Sequence, residues 1–143
     1  MENGQEKPIT FFRFEDLRIY HKSLEYISWG YDMAKNAGRD ADVKTFFDRF
    51  LIPAQAISLN IAEGSSRNKS QFVYYLKMAK SSVRECVVLT TLALHRNIIT
   101  QKHYDESKNQ LMEMTKMIGA LIGSLQRSVK MEEHGSDHDD DDE

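Results

Sequence analysis

The stretch Asn60-Ile61-Ala62-Glu63-Gly64-Ser65-Ser66-Arg67-Asn68-Lys69-Ser70 decides the fold. An apolar helical period enters it from Val43 and resumes at Phe72, so a short polar segment joins two long helices. Glu63 and Arg67 stand in the favourable i, i+4 order, and Asn60 lies one turn before Gly64. Asn60, Glu63 and Gly64 therefore read as a structural hinge, in which Gly64 can take the left-handed conformation that ends many helices.

Working outward, Leu17, Tyr20, Leu24, Ile27, Tyr31 and Ala34 alternate spacings of three and four, which predicts a first helix over about 14–37 with these residues inward. Gly38 supplies its stop. A second helix is expected over about 43–62, with Phe46, Phe50, Pro53, Ile57 and Ile61 as its stripe; because Pro53 lacks a backbone donor, either a kink near Phe50 or a split into two shorter helices is expected. Ser70 is the expected cap of a third helix with the stripe Phe72, Leu76, Ala79, Val83, Cys86, Thr90 and Ala93, closed by Asn97. Thr100 caps a fourth, where Leu111, Met114, Ile118, Leu121 and Leu125 recur at heptad spacing. With short connections and no strand alternation, the fold class is all-α, an antiparallel up-down-up-down four-helix bundle.

The charge is divided unevenly. The run from Glu132 to Glu143 holds eight of the 22 acids and none of the 19 bases, so the preceding 131 residues are +5 although the chain is −3. A block of like charge cannot bury itself, which predicts a flexible segment at 1–12, a bundle at 13–131 and a disordered acidic tail at 132–143. No apolar run approaches the roughly 20 residues that span a bilayer and no secretory signal is legible, so no membrane partner and a cytoplasmic location are expected. The single Cys86 sits among Val87, Val88 and Leu89 and reads as a small core residue.

Ile19, Tyr26 and Met33 form a second heptad row on the first helix, beside Trp29 and off the expected core stripe. Aligned, large and aromatic residues of this kind predict an interface between subunits. Chemistry is harder to find. No Glu is followed three residues later by His, as a di-metal bundle needs, and there is no phosphate-cradling glycine loop, nucleophile elbow or zinc spacing. The chain therefore reads as not an enzyme, with no cofactor and no metal. Lys77, Lys80 and Arg84 fall on one strip of the third helix, and Arg67 and Lys69 lie just before it. These five are the candidate nucleic-acid-binding residues, because lysines and arginines so placed neutralise phosphates and release counterions. Tyr74 and His95 are candidates for base stacking.

The pattern Phe14-x-x-Leu17, Ile57, Asn60 through Gly64, Arg67, Ser70, Phe72 and Leu76 resembles the signature of the four-helix-bundle proteins encoded in intervening sequences of bacterial 23S rRNA genes, a family related to the accessory protein of diversity-generating retroelements. The resemblance covers about 11–127. It implies the bundle, a homopentameric barrel, and a scaffold or accessory role toward structured RNA, DNA or a reverse transcriptase. Two departures stand out: Ala56, Ser58 and Leu59 replace the family's Ser, Pro and Ala, and Leu51 and Ile52 replace its paired arginines. The functional expectation is a homo-oligomeric, non-enzymatic nucleic-acid-binding scaffold; the alternative is a protein-protein interaction module without nucleic-acid binding.

Overall fold

The computed structural model describes residues 11–141, with side chains through residue 135; residues 1–10 of the expected flexible segment and 142–143 of the tail lie outside it. After a 3-10 turn at Arg13–Asp16 come four helices, α1 Arg18–Asn36, α2 Ala41–Ser65, α3 Lys69–His95 and α4 Gln101–Asp141. No strand occurs among the described residues. Each helix packs on the next and α4 returns to α1, the thinnest of the four contacts. Ser23 meets Ser58 while Gly30 meets Phe50 and Leu51, so α1 and α2 run antiparallel. Lys22 with Glu113 and Trp29 with Glu106 set the same antiparallel sense for α1 and α4.

Local chemistry sets the helix ends. Asp40 caps α2 by accepting from the amides of Asp42 and Val43. The cap of α3 is Asn68 and not Ser70: Asn68 accepts from the Gln71 amide while Gln71 returns to the Asn68 amide, a reciprocal box that satisfies two orphan donors. Thr100 Oγ1 accepts from the His103 amide at the head of α4, as the sequence predicts. Gly38 and Asn97, with φ of 61° and 58°, close α1 and α3 in the left-handed region. The expected first helix is broken at Leu17, whose extended backbone separates the 3-10 turn from α1. The helix α2 continues through the buried Pro53. The helix α4 passes residue 131, the expected bundle boundary, and takes the first acids of the tail into regular structure.

The inward face of α1 differs from the expected one. Ile19, Ser23, Tyr26 and Gly30 are buried, whereas Leu24 and Tyr31 are exposed. Two small residues explain the rotation. Ser23 Oγ shares a buried 2.6 Å hydrogen bond with Ser58 Oγ, and a Cβ on Gly30 would come within 2.9 Å of the Phe50 ring. A count of large apolar residues passes over both, although each marks where α2 comes closest. The row expected as an intersubunit interface is thus core: Ile19 and Tyr26 are buried, and the half-buried Trp29 and Met33 pack against them. Tyr26 and Trp29 stack at 5.7 Å, with Phe47 and Phe50 edge-on, and each such ring buries apolar surface worth about 1.5–3 kcal/mol. On α3 the whole expected stripe from Phe72 to Ala93 is buried.

Candidate nucleic-acid interface

Net positive charge in the described bundle gathers on half of the molecule. Between Arg18 and Ser65, six bases meet six acids. On α3, Lys69, Lys77, Lys80 and Arg84 face only Glu85. On α4 up to Met131, five bases outnumber Asp105, Glu106 and Glu113. Short of residue 132, the excess of bases therefore lies on the α3–α4 half.

The five predicted residues separate into two groups. Lys77 and Arg84 are exposed and Lys80 half-buried, in one strip over two turns of α3, with Arg84 Nη2 donating to Ser81 at 3.1 Å. Arg67 and Lys69 are already engaged within the chain. Arg67 holds the Glu63 carboxylate at 2.7 Å, which raises its pKa, and lies 5.4 Å above the Tyr75 ring. Lys69 Nζ donates to Ser128 Oγ at 2.6 Å and to the carboxylate of Glu132 on the extended end of α4. Beside Lys69, Ser70 and Val73 line an open groove with Gly123, Arg127 and Lys130 of α4. The sequence does not single out Arg127 and Lys130, because their approach to α3 depends on helix pairing. Tyr74 is exposed and set edge-on to Tyr75 at 5.3 Å. His95 lies 21 residues further along α3, roughly 30 Å away at 1.5 Å per residue, so the two do not form one stacking platform.

In the hinge, Glu63 and Arg67 pair as expected, but the other two positions act differently. Asn60 donates to the Ala56 carbonyl at 2.9 Å from within α2 and does not fix the helix end. Gly64 is helical and not left-handed; its role is close approach, since a Cβ there would stand 2.7 Å from Tyr75 Cβ.

Apolar surface remains exposed elsewhere. Ile52 and Leu59, one heptad apart on the outer face of α2, are 71% and 68% exposed. Tyr31 of α1 is 52% exposed and accepts a 2.8 Å hydrogen bond from Gln55, which joins the α1 edge to the same face. Isolated exposed residues are ordinary, whereas these three adjoin one another across two helices.

Other polar groups serve the fold. His21 Nε2 donates to the Glu15 carbonyl at 2.6 Å, and Glu25 turns toward Lys22. Among the described residues, no three His, Cys, Asp or Glu side chains converge as a metal site would require. Cys86 is fully buried, and burial pushes its thiol up to about 12. No helix among the described residues is long and apolar enough to cross a membrane.

These features define a small all-α, four-helix protein with a basic strip on α3 and exposed apolar residues on α2. Residues 15–120 match the family described as 23S rRNA-intervening sequence protein, and the chain belongs to that family. A crystal structure from Bacteroides thetaiotaomicron, described as a protein of unknown function from the S23 ribosomal protein family, superposes with a TM-score of 0.68 at 21% identity. The superposition covers 73% of this chain and 95% of the other, and establishes a shared fold. No curated protein matches the chain.

Proposed function

We propose that the protein is a non-enzymatic, homo-oligomeric scaffold that binds structured RNA or DNA through the α3–α4 half and associates through the outer face of α2. The observation that carries the reading is the basic row of α3, which is opposed on that helix by Glu85 alone. Bases exceed acids on α3 and on α4 as far as Met131, with Lys77 and Arg84 exposed in one row, while α1 and α2 are charge-balanced and carry Ile52 and Leu59 outward. An assembly through a neutral apolar face avoids self-repulsion and repeats the basic strip around its surface, so individually weak phosphate contacts add as avidity. A cyclic arrangement, pentameric as the family resemblance implies, would present five such strips. A reverse transcriptase or another nucleic-acid enzyme is the protein partner that this role accommodates, and the cytoplasm is where it would operate.

The exposed α2 face also favours the second reading, a protein-protein interaction module that does not bind nucleic acid. Filter binding with a labelled RNA hairpin and a labelled DNA duplex separates the two. The scaffold reading expects retention at low salt that is lost on combined Lys77→Glu, Lys80→Glu and Arg84→Glu. Absence of retention by the wild-type chain, or retention indifferent to the three reversals, leaves the interaction module.

A further inference from the structure

The outer face of α3 carries apolar residues that belong neither to the core nor to the basic strip. Tyr74, Met78, Val88 and Leu92 are between 43% and 66% exposed, whereas Phe72, Leu76, Val83 and Cys86 on the opposite face of the same helix are buried. With Ser81 and Glu85 between them, the exposed four recur at spacings of four, three, four, three and four, the heptad rhythm of a helix that pairs lengthwise with another. From Tyr74 to Leu92 the row runs roughly 27 Å at 1.5 Å per residue, about five turns. At its middle Ser81, Arg84, Glu85 and Val88, spaced as i, i+3, i+4 and i+7, line an open hollow with Leu89. Four residues in that relation form the hole into which a facing helix inserts a side chain.

The charges beside the row decide its occupant. Lys77 and Arg84, one heptad apart, flank it on one edge, and Glu85 lies within it. Pairing α3 with the α3 of a second copy places like charges together in either direction. Parallel helices set the two Glu85 side chains together in the seam, and antiparallel helices, in the register that joins Tyr74 to Leu92, bring the two Arg84 side chains together at the edge. A helix with acids along the edge that meets Lys77 and Arg84, and a base in its seam opposite Glu85, matches every charge.

We infer that the outer face of α3 is a docking site for an amphipathic helix of another protein, apolar at heptad spacing, acidic along the edge that meets Lys77 and Arg84, and carrying one Lys or Arg opposite Glu85. The apolar row supplies the affinity and the flanking cations the orientation, since charges across an interface select partner and register more than they tighten binding. The site goes beyond phosphate binding, yet Lys77 and Arg84 belong to both. A docked helix and a polyanion therefore exclude one another.

Two fluorescein-labelled three-heptad peptides serve as probes, identical in a Leu seam with one central Lys and differing only in flanks of Glu or of Lys. Three full-length chains are titrated into each and followed by anisotropy: wild type, Tyr74→Ser with Val88→Ser and Leu92→Ser, and Lys77→Glu with Arg84→Glu. Circular dichroism should show equal helix content, because every substituted side chain lies outside the core. Wild type should bind the Glu-flanked peptide at least about tenfold more tightly than the Lys-flanked one, the serine variant should lose at least about tenfold in that affinity, and the charge variant should reverse the preference. No binding of the Glu-flanked peptide by wild type, or binding that the serine variant retains in full, overturns the inference. So does self-association of the chain alone that Val88→Lys with Leu92→Lys abolishes, because a second copy then occupies the row. Duplex DNA binding is scored separately: its absence at low salt removes the nucleic-acid reading, while the peptide titrations alone uphold or overturn the helix site.

Discussion

Gly64 of α2 and Tyr75 of α3 stand so close that a Cβ built on the glycine would lie 2.7 Å from Tyr75 Cβ and 2.8 Å from the Phe72 ring. The nearest obstacle is an atom fixed to the α3 backbone, so no rotamer change relieves the clash. Gly64→Ala therefore pushes the two helices apart. Overpacking costs about 1–3 kcal/mol, against roughly 1 kcal/mol gained from replacing a helical glycine. A lower urea midpoint with an unchanged slope is expected, and a midpoint equal to or above that of wild type would contradict this close approach.

The hydroxyls of Tyr26 and Ser107 share a 2.8 Å hydrogen bond between two fully buried side chains. Tyr26→Phe leaves Ser107 without that partner and should cost about 1–3 kcal/mol. Adding Ser107→Ala removes the orphaned group, so the double variant should lose less than the sum of the two single variants. A double-mutant cycle by chemical denaturation measures the coupling, and strict additivity would show that the bond contributes nothing.

Burial raises the Cys86 thiol from 9.0 to about 12. At pH 8 the native thiol stays protonated and enclosed, so a maleimide should label it only at the rate of unfolding. In the unfolded chain the proton leaves near the lower value. Above pH 9 the unfolded state thus binds fewer protons, and the stability this group contributes below pH 9 is lost between pH 9 and 12. Rapid labelling of the folded chain at pH 8 would mean that the site opens.

Ile52 and Leu59 should carry self-association in place of the buried Ile19 and Tyr26. Light scattering is expected to show an oligomer for wild type and a monomer for the Ile52→Lys, Leu59→Lys double variant, with helix content unchanged because neither side chain belongs to the core. A wild-type monomer at micromolar concentration would remove the assembly.

Much of this architecture is legible in the sequence, and the misreadings have a shared physical cause. The α3 stripe is correct throughout because Phe72, Leu76, Val83 and their neighbours are large or apolar and all face neighbouring helices. On α1 the eye follows Leu24 and Tyr31 outward, since the true core row is interrupted by Ser23 and Gly30, whose value lies in how closely α2 approaches. Gly64 resembles a turn glycine for the same reason. At the candidate interface, the pairing of Glu63 with Arg67 follows from helical spacing. That of Lys69 with Glu132, 63 residues apart, follows only once α4 is laid against α3 and extended past the bundle. The basic strip is readable as a strip; whether its cations are already engaged is not.

The most direct test of the central claim, that the α3 strip binds nucleic-acid phosphates, is the salt dependence of duplex DNA affinity for wild type and for combined Lys77→Ala, Lys80→Ala and Arg84→Ala. Each phosphate neutralised in a duplex contributes about 0.9 to the slope of log affinity against log salt. The account predicts measurable wild-type binding at low salt and a slope shallower by about 2 to 3 in the triple variant. No binding at low salt, or an affinity and slope unchanged by the three substitutions, would contradict it.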